Sequence, residues 1–217
     1  MKVLVTAGAT REPIDAVRFL SNVSTGTTGA ALADAFVAAG HDAVLLRGNE
    51  AARPKLARDR EVFTTAADLG QRLRQRLSEG DIDAVIMAAA VADYRPETTL
   101  ERKISSDAEE LAMRLVRNEK LLPKLKMFSP RRLFVVGFKL TVEADDAERR
   151  AAVTAQFAGG GVDAIVHNDL AEIRRAPART HPFWLYRAPD DAPRKLAGAG
   201  ALALALMEIM PGGKTKR

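Results

Sequence analysis

The chain has 217 residues and no cysteine, which excludes disulfides, thiolate metal sites and cysteine nucleophiles. A hydrophobic fraction of 47% with only 5% aromatics provides a sizeable Ala, Val and Leu core, on a length suited to one α/β domain. The net charge of +5 and isoelectric point of about 9.7 would steer anionic small molecules or nucleic acid, and charge alone does not choose between them.

Val3-Leu4-Val5 is an apolar run without polar alternation, the pattern of a strand buried on both faces. It breaks at Ala7-Gly8, where glycine suits a tight turn or the close approach of a ligand. A polar loop follows, with Thr10, Arg11, Asp15, Arg18, Ser21 and Asn22, and closes on Ser24-Thr25-Gly26-Thr27-Thr28-Gly29. An amphipathic helix then carries Ala30, Ala33, Phe36 and Val37 at helical spacing. Hydroxyls and glycines at such a helix start form either a phosphate seat or a plain Ser/Thr cap.

Val44-Leu45-Leu46 reads as the second strand, ending at Arg47-Gly48, with residues 49–60 as polar loop. Val62-Phe63 lead into a helix over Ala66–Ser78 with Leu69, Leu73 and Leu77 in one stripe and Gly80 just past its end. Residues 84–90 read as the third buried strand, 91–108 as an irregular charged segment, and 119–127 as a helix. Leu133–Val136 form a fourth strand, Asp145–Phe157 a helix stopped by Gly159-Gly160-Gly161, and Ala164–Val166 a fifth strand. Phe183–Tyr186 suit an edge strand, and Leu196–Met210 a closing helix ended by Pro211-Gly212-Gly213.

The expected fold is therefore a Rossmann-like, doubly wound α/β fold: a mostly parallel sheet with helices on both faces. It is expected as one nucleotide-binding domain over 1–217, with a flexible flap near 94–110 and a basic tail over 211–217. Ligands of such sheets bind outside the carboxyl ends of the strands, which gathers Gly8, Arg47, 89–93, Phe138 and His167-Asn168-Asp169 at one edge. A dinucleotide oxidoreductase fits poorly. Gly8 stands without the second and third glycines of G-x-G-x-x-G, strand two ends in Arg47 instead of an acid, and neither Tyr94 nor Tyr186 has a lysine four residues on. No basic helix, aromatic stacking set or Cys/His finger speaks for nucleic acid. No apolar run reaches membrane length and Met1-Lys2 lead straight into a strand, so the expected location is the cytoplasm, with no membrane partner.

Two further features suit nucleotide chemistry. Ala88-Ala89-Ala90 at the exit of strand three would let a flat base lie against the backbone, and Asp93 could bind a sugar hydroxyl, a base amine or a metal-bound phosphate, or simply cap a loop. Lys103 in the irregular segment could neutralise charge on a transferring phosphoryl group.

The motifs TAGATREPID, VRFLSNVSTG, AAAVADYRP, KIS, VGFK and DAIVHNDL, in that order and at these separations, resemble phosphopantothenate–cysteine ligase. This is the second half of the bacterial bifunctional coenzyme A biosynthesis flavoprotein and a stand-alone enzyme elsewhere. The resemblance runs from Val3 to about Met210. It implies a cytoplasmic, Mg²⁺-dependent homodimer that activates 4′-phosphopantothenate with CTP or ATP and passes the acyl group from an acyl-nucleotide to cysteine. The flavin-binding half is expected to be absent, so no flavin is expected.

Carried over by motif, Asn22 and Lys103 match the catalytic positions, Asn22 also serving the acyl-nucleotide. Gly8, Thr10, Ser24, Thr25 and Gly26 match the phosphate cradle. Ala88, Ala89 and Asp93 match the base and ribose side, and Phe138 and Asn168 line the nucleotide, Phe138 equally being plain core. Arg18 suits the phosphate of phosphopantothenate or an exposed salt bridge. No metal ligand is assigned. Three departures stand out. Ser105-Ser106 replace further lysines after Lys103, the stretch 154–161 lacks lysine so that Arg149 or Arg150 would have to substitute, and Gly137–Thr141 look closer to the eukaryotic form. They leave CTP or ATP open, and they admit a paralogue with another acid or amine. A non-catalytic nucleotide-binding module is the alternative from another class.

Overall fold

The computed structural model describes residues 1–177 and 180–211. From residue 212 the expected basic tail, with Gly212-Gly213, lies outside the described residues.

In chain order, β1 (Lys2–Ala7) is followed by a short hairpin, β2 (Arg11–Pro13) and β3 (Phe19–Ser21), then α1 (Thr27–Ala38), β4 (Asp42–Gly48) and β5 (Arg58–Phe63). Next come α2 (Ala66–Ser78), β6 (Ala84–Met87), β7 (Tyr94–Pro96) and β8 (Leu115–Arg117). A 3₁₀ turn (Leu122–Lys124) runs into α3 (Leu125–Phe128), followed by β9 (Phe134–Thr141), α4 (Asp146–Ala158) and β10 (Ala164–Asp169). The chain closes with α5 (Leu170–Arg175), β11 (Pro182–Tyr186), β12 (Arg194–Ala197) and α6 (Gly198–Ile209).

One sheet runs β12-β11-β10-β9-β6-β1-β4-β5. Its six strands from β10 to β5 are parallel, and β11 and β12 extend it as an antiparallel hairpin. The parallel strands taken in chain order sit 3-2-1-4-5-6, the doubly wound arrangement. Helices α1 and α6 cover one face over Val3, Val5, Leu45, Ile86, Val136 and Val166. On the other face α2 and α3 cover Leu4, Leu46, Val85 and Val135, and α4 packs Val153 against Ile165. Alternate residues of each central strand thus bury on opposite faces, which is why these strands read as continuous apolar runs. None of the described helices is long and apolar enough to cross a membrane.

Several expected boundaries shift, each for a local reason. Residues 58–60 belong to β5 and not to a loop. This strand lies at the sheet edge with only β4 as neighbour, so it tolerates charge, and Asp59 pairs with the buried Arg47 at 2.8 Å. The helix expected over 119–127 shrinks to the 3₁₀ turn and the single turn of α3. Pro123 lacks an N–H, which the first turn of a helix tolerates and a helix interior does not. Strand three ends at Met87, because Ala89 N–H turns to Thr6 Oγ1 (3.1 Å) and Ala90 N–H to the Gly8 carbonyl (2.8 Å). The closing helix begins at Gly198, whose φ of 75° breaks it from β12. By contrast, α2 runs as expected over 66–78, and Gly80 follows it with φ 71°.

The segment between β7 and β8, residues 97–114, has no helix or strand. It is the long loop of an antiparallel pair in which Tyr94 faces Arg117 and Pro96 faces Leu115. The expected flap is thus tied at both ends.

Candidate nucleotide and acyl-transfer site

Connections leave β1 toward β4 on one side and β6 lies on the other, so the winding reverses between β1 and β6. The carboxyl ends of these two strands form a crevice, the place where doubly wound sheets take ligands. Three glycines shape it. Gly8 has φ 81°, and a Cβ there would stand 2.4 Å from the Cβ of Ala51. Gly26 has φ 72°, and its Cβ would stand 3.0 Å from the backbone nitrogen of Gly8. Gly29 brings α1 onto β1, since its Cβ would meet the Thr6 carbonyl oxygen at 2.9 Å. These are the three jobs of the dinucleotide fingerprint: tight turn, close approach, and helix–strand packing. In sequence Gly8 stands without its companions, as expected; the fold supplies them from further along the chain. Gly26 and Gly29 keep the x-x spacing of the second and third glycines, and residues 9–25 are looped out between the first and second.

The N-terminus of α1 opens on this crevice. Its N-cap is Gly26, with no side-chain cap and no acidic residue in the first turn. Thr25 Oγ1 lies 3.5 Å from Thr27 N and 3.0 Å from Thr27 Oγ1, too far from the amide to cap it. The plain Ser/Thr cap is therefore not made. Free first-turn N–H groups and the positive end of the helix dipole face the crevice, together with Ser24, Thr25 and Gly26.

Thr10 is fully buried. Its N–H donates to the Ala90 carbonyl at 3.1 Å, and its hydroxyl accepts the Ala92 N–H at 3.0 Å. Thr10 thus shapes the crevice by holding the Ala88–Ala92 loop against β1. Ala88 packs with the α1/α6 cluster and Ala89 with the opposite one, both half-buried at the strand exit. Phe138 and Asn168 lie on the α1/α6 face of β9 and β10, by the pairing of Phe138 with Val166. Phe138 is half-buried and meets Phe183 edge-on at 6.4 Å. Asp93 is exposed and ion-paired with Lys120, while Asn118 donates its side-chain amide to the Ala92 carbonyl at 2.9 Å. Asn118 and Lys120 were not singled out from sequence; nothing in their spacing marks them.

The hairpin β2–β3 carries the remaining candidates. Its base is pinned to α2, where Glu12 accepts the Ala66 N–H at 2.8 Å. Asn22, exposed just after β3, donates to the Val91 carbonyl at 3.4 Å, which brings it to the β6 exit. Arg18 donates to Asp15 at 2.7 Å and to the Ile104 carbonyl at 3.3 Å. Lys103, next in chain to Ile104, is exposed and makes no ion pair among the described residues. Arg149 stacks on Trp184 at 4.5 Å and pairs with Glu172 and Asp146.

The family model for the DNA/pantothenate metabolism flavoprotein C-terminal domain matches residues 1–188. The chain belongs to this family. Among curated relatives, the coenzyme A biosynthesis bifunctional protein CoaBC of Vibrio cholerae is 33% identical over 212 residues, covering 96% of this chain and 52% of that protein. The CoaBC of Thermococcus kodakarensis is 32% identical over 169 residues, covering 78% of this chain and 41% of the relative. A cysteine/cysteine sulfinic acid decarboxylase from an unknown prokaryotic organism is 36% identical over 173 residues, 79% of this chain and 46% of that protein. The chain spans about half the length of these relatives. The solved C-terminal domain of a CoaBC protein superposes with a TM-score of 0.74 at 26% identity, covering 95% of this chain and 92% of that one. A DNA/pantothenate metabolism flavoprotein from Streptococcus pneumoniae reaches 0.83 at 24% identity over 96% and 97% of the two chains, a likeness of fold. The part of CoaBC that this chain matches is thus its C-terminal domain.

Behind Asn168, this family member buries a polar cluster. Thr141 Oγ1 lies 2.6 Å from Asp169 Oδ2 and 2.8 Å from His167 Nε2. A carboxylate only accepts, so the hydroxyl donates to Asp169 and accepts from His167 Nε2–H. Asp169 also accepts the N–H groups of Glu143, Ala144 and Ala171, ties the loop after β9 to β10, and is held well below the usual carboxylate range by these bonds despite burial. His167 is pushed down to about 4 by burial, with Arg149 and Lys139 acting in the same direction. Its Nδ1 is buried without a partner, so protonation there gains nothing. The cluster fixes the ends of β9 and β10, and with them Phe138 and Asn168.

Among the described residues no group of His, Asp and Glu clusters as a metal cage.

Proposed function

We propose that this chain is a phosphopantothenate–cysteine ligase. In the first step a carboxylate oxygen of 4′-phosphopantothenate attacks the α-phosphorus of CTP or ATP, and the bond to the bridging oxygen breaks to release pyrophosphate. In the second the cysteine nitrogen attacks the acyl carbon of the resulting anhydride, the nucleoside monophosphate leaves with the bridging oxygen, and the amine loses a proton. Mg²⁺ would ride on the phosphates and offset their charge.

One observation carries the reading. The uncapped, glycine-lined start of α1 lies in the same crevice as Asn22, at the β6 exit, and beside the hairpin that binds the Lys103 loop. In this reading the α1 N-terminus, Gly8, Ser24, Thr25 and Gly26 seat the phosphates, Ala88, Ala89, Asp93, Phe138 and Asn168 frame base and ribose, and Arg18 reaches the phosphate of phosphopantothenate. Lys103 neutralises charge on the transferring group, and Asn22 holds the acyl-nucleotide. Positioning and charge neutralisation suffice for such chemistry. The family match supports a role in coenzyme A biosynthesis. Exposed Val17, Phe19, Tyr94 and Leu115 on the neighbouring hairpins support a homodimer that covers this side.

The missing lysines favour one second reading, a paralogue joining another acid and amine. Purified protein with Mg²⁺ and 4′-phosphopantothenate, with CTP and ATP in separate tubes, with and without cysteine, decides between them. Pyrophosphate release with one nucleotide, raised by cysteine, is expected. Silence in every tube from protein that binds nucleotide rejects the ligase.

A further inference from the structure

We infer that Asp15 is a positioning residue for Lys103, acting as a clasp between the β2–β3 hairpin and the 97–114 loop. The inference rests on the ligase reading for the role of Lys103, but the clasp itself is a matter of geometry. Asp15 is only 5% exposed, and its two oxygens do separate work. Oδ1 accepts the N–H groups of Val17 and Arg18, each at 2.8 Å, and so makes the turn at the hairpin tip. That local role would be complete with one oxygen. Oδ2 instead accepts the Ile104 N–H at 3.0 Å, across 89 positions of chain, together with the Arg18 guanidinium at 2.7 Å.

The loop is fastened at further points on the same side. Leu100 N–H donates to the Ile14 carbonyl at 3.1 Å, Thr99 Oγ1 to the Pro13 carbonyl at 3.1 Å, and Arg18 to the Ile104 carbonyl at 3.3 Å. Ile104 is therefore held at both its N–H and its C=O by the Asp15–Arg18 pair. Lys103 is the residue before it, exposed and without an ion pair among the described residues. Where Lys103 can reach is set by Ile104, and where Ile104 lies is set by Asp15. The Ile104 N–H is also the largest influence holding the Asp15 carboxyl down to about 2, so the clasp stays charged at neutral pH. Because the hairpin is pinned through Glu12 to α2, the clasp refers the Lys103 loop to the fixed body of the fold.

Asp15→Asn leaves one acceptor oxygen for donors that now use two. Asp15→Ser keeps a short acceptor for the turn but cannot reach Ile104, and serves if the amide variant fails to fold. Two measurements are made on each: hydrogen exchange across 100–106 without ligand, and initial pyrophosphate release alone and combined with Lys103→Gln. Exchange at Ile104 should rise more than about tenfold with α2 and α4 amides unchanged, as for an opened local contact. Pyrophosphate release should fall about 10- to 100-fold, the scale of a misplaced catalytic group, with no further loss in the Lys103→Gln background. An equal fold-loss in both backgrounds would make Asp15 merely structural and overturn the inference. Unchanged exchange at Ile104 would overturn the clasp directly. If wild-type protein releases no pyrophosphate with either nucleotide, the ligase reading falls, while the exchange result still accepts or rejects the clasp.

Discussion

A Cβ on Gly29 would stand 2.6 Å from the Cβ of Ala7, with the Thr6 carbonyl oxygen at 2.9 Å. Backbone cannot move aside as a flexible side chain can. Gly29→Ala should gain up to about 1 kcal/mol of helix propensity and lose more through overpacking, about 1–3 kcal/mol. The expected net is a lower urea midpoint and weaker nucleotide binding, because α1 is lifted from β1 and its N-terminus leaves the crevice. A variant as stable and as tight-binding as wild type would show that the helix shifts without consequence.

Thr10→Val tests whether the β6 exit depends on one hydroxyl. Valine fills the same space but leaves the Ala92 N–H without its acceptor. An orphaned buried donor costs about 1–3 kcal/mol, measurable by chemical denaturation. Thr10→Ser, which keeps the oxygen, should recover most of it.

His167 gives stability a pH dependence whose sign is set by burial. Its pKa is near 6.5 in the unfolded chain and about 4 in the fold. Between those values the unfolded chain holds a proton that the folded chain refuses. Stability should therefore fall as pH drops from about 6.5 to about 4, with no contribution from this group above that window. Asp15 and Asp169, held below the usual carboxylate range, add their own loss only at lower pH. Urea midpoints recorded across pH 4–7 should lose this slope in His167→Gln; an unchanged slope would assign it elsewhere.

Lys103→Gln should slow pyrophosphate release by about 10²–10³, the usual loss for one preorganised charge-stabilising group. Asn22→Asp should spare this first step and block amide formation, so that the acyl-nucleotide accumulates and can be trapped after rapid quenching. Normal rates in the first variant remove Lys103 from the mechanism. Loss of both steps in the second makes Asn22 structural.

Much of this architecture was legible in sequence because burial leaves a local record. Val3–Val5, Ala84–Met87, Val135-Val136 and Ala164–Val166 are continuous apolar runs, since each is covered on two faces. The stripe Leu69, Leu73, Leu77 and the following Gly80 marked α2 to the residue. Strand β5 escaped because an edge strand has one covered side and may be charged. The ordered motifs also led to the family.

What tertiary structure alone decided is which distant groups meet. Gly8 and Gly26 pack together only because residues 9–25 fold out between them. Thr10, matched by motif to the phosphate cradle, accepts the distant Ala92 N–H through its hydroxyl and keeps its O–H as a donor. Arg149 is spent on Trp184 and Glu172. Asp15 carries a turn signal in sequence, but nothing local announces that its second oxygen holds Ile104. A residue's type states how many hydrogen bonds it can make. Its partners are chosen only when the whole chain closes and water is removed, since the donors left over must then find the acceptors brought near them.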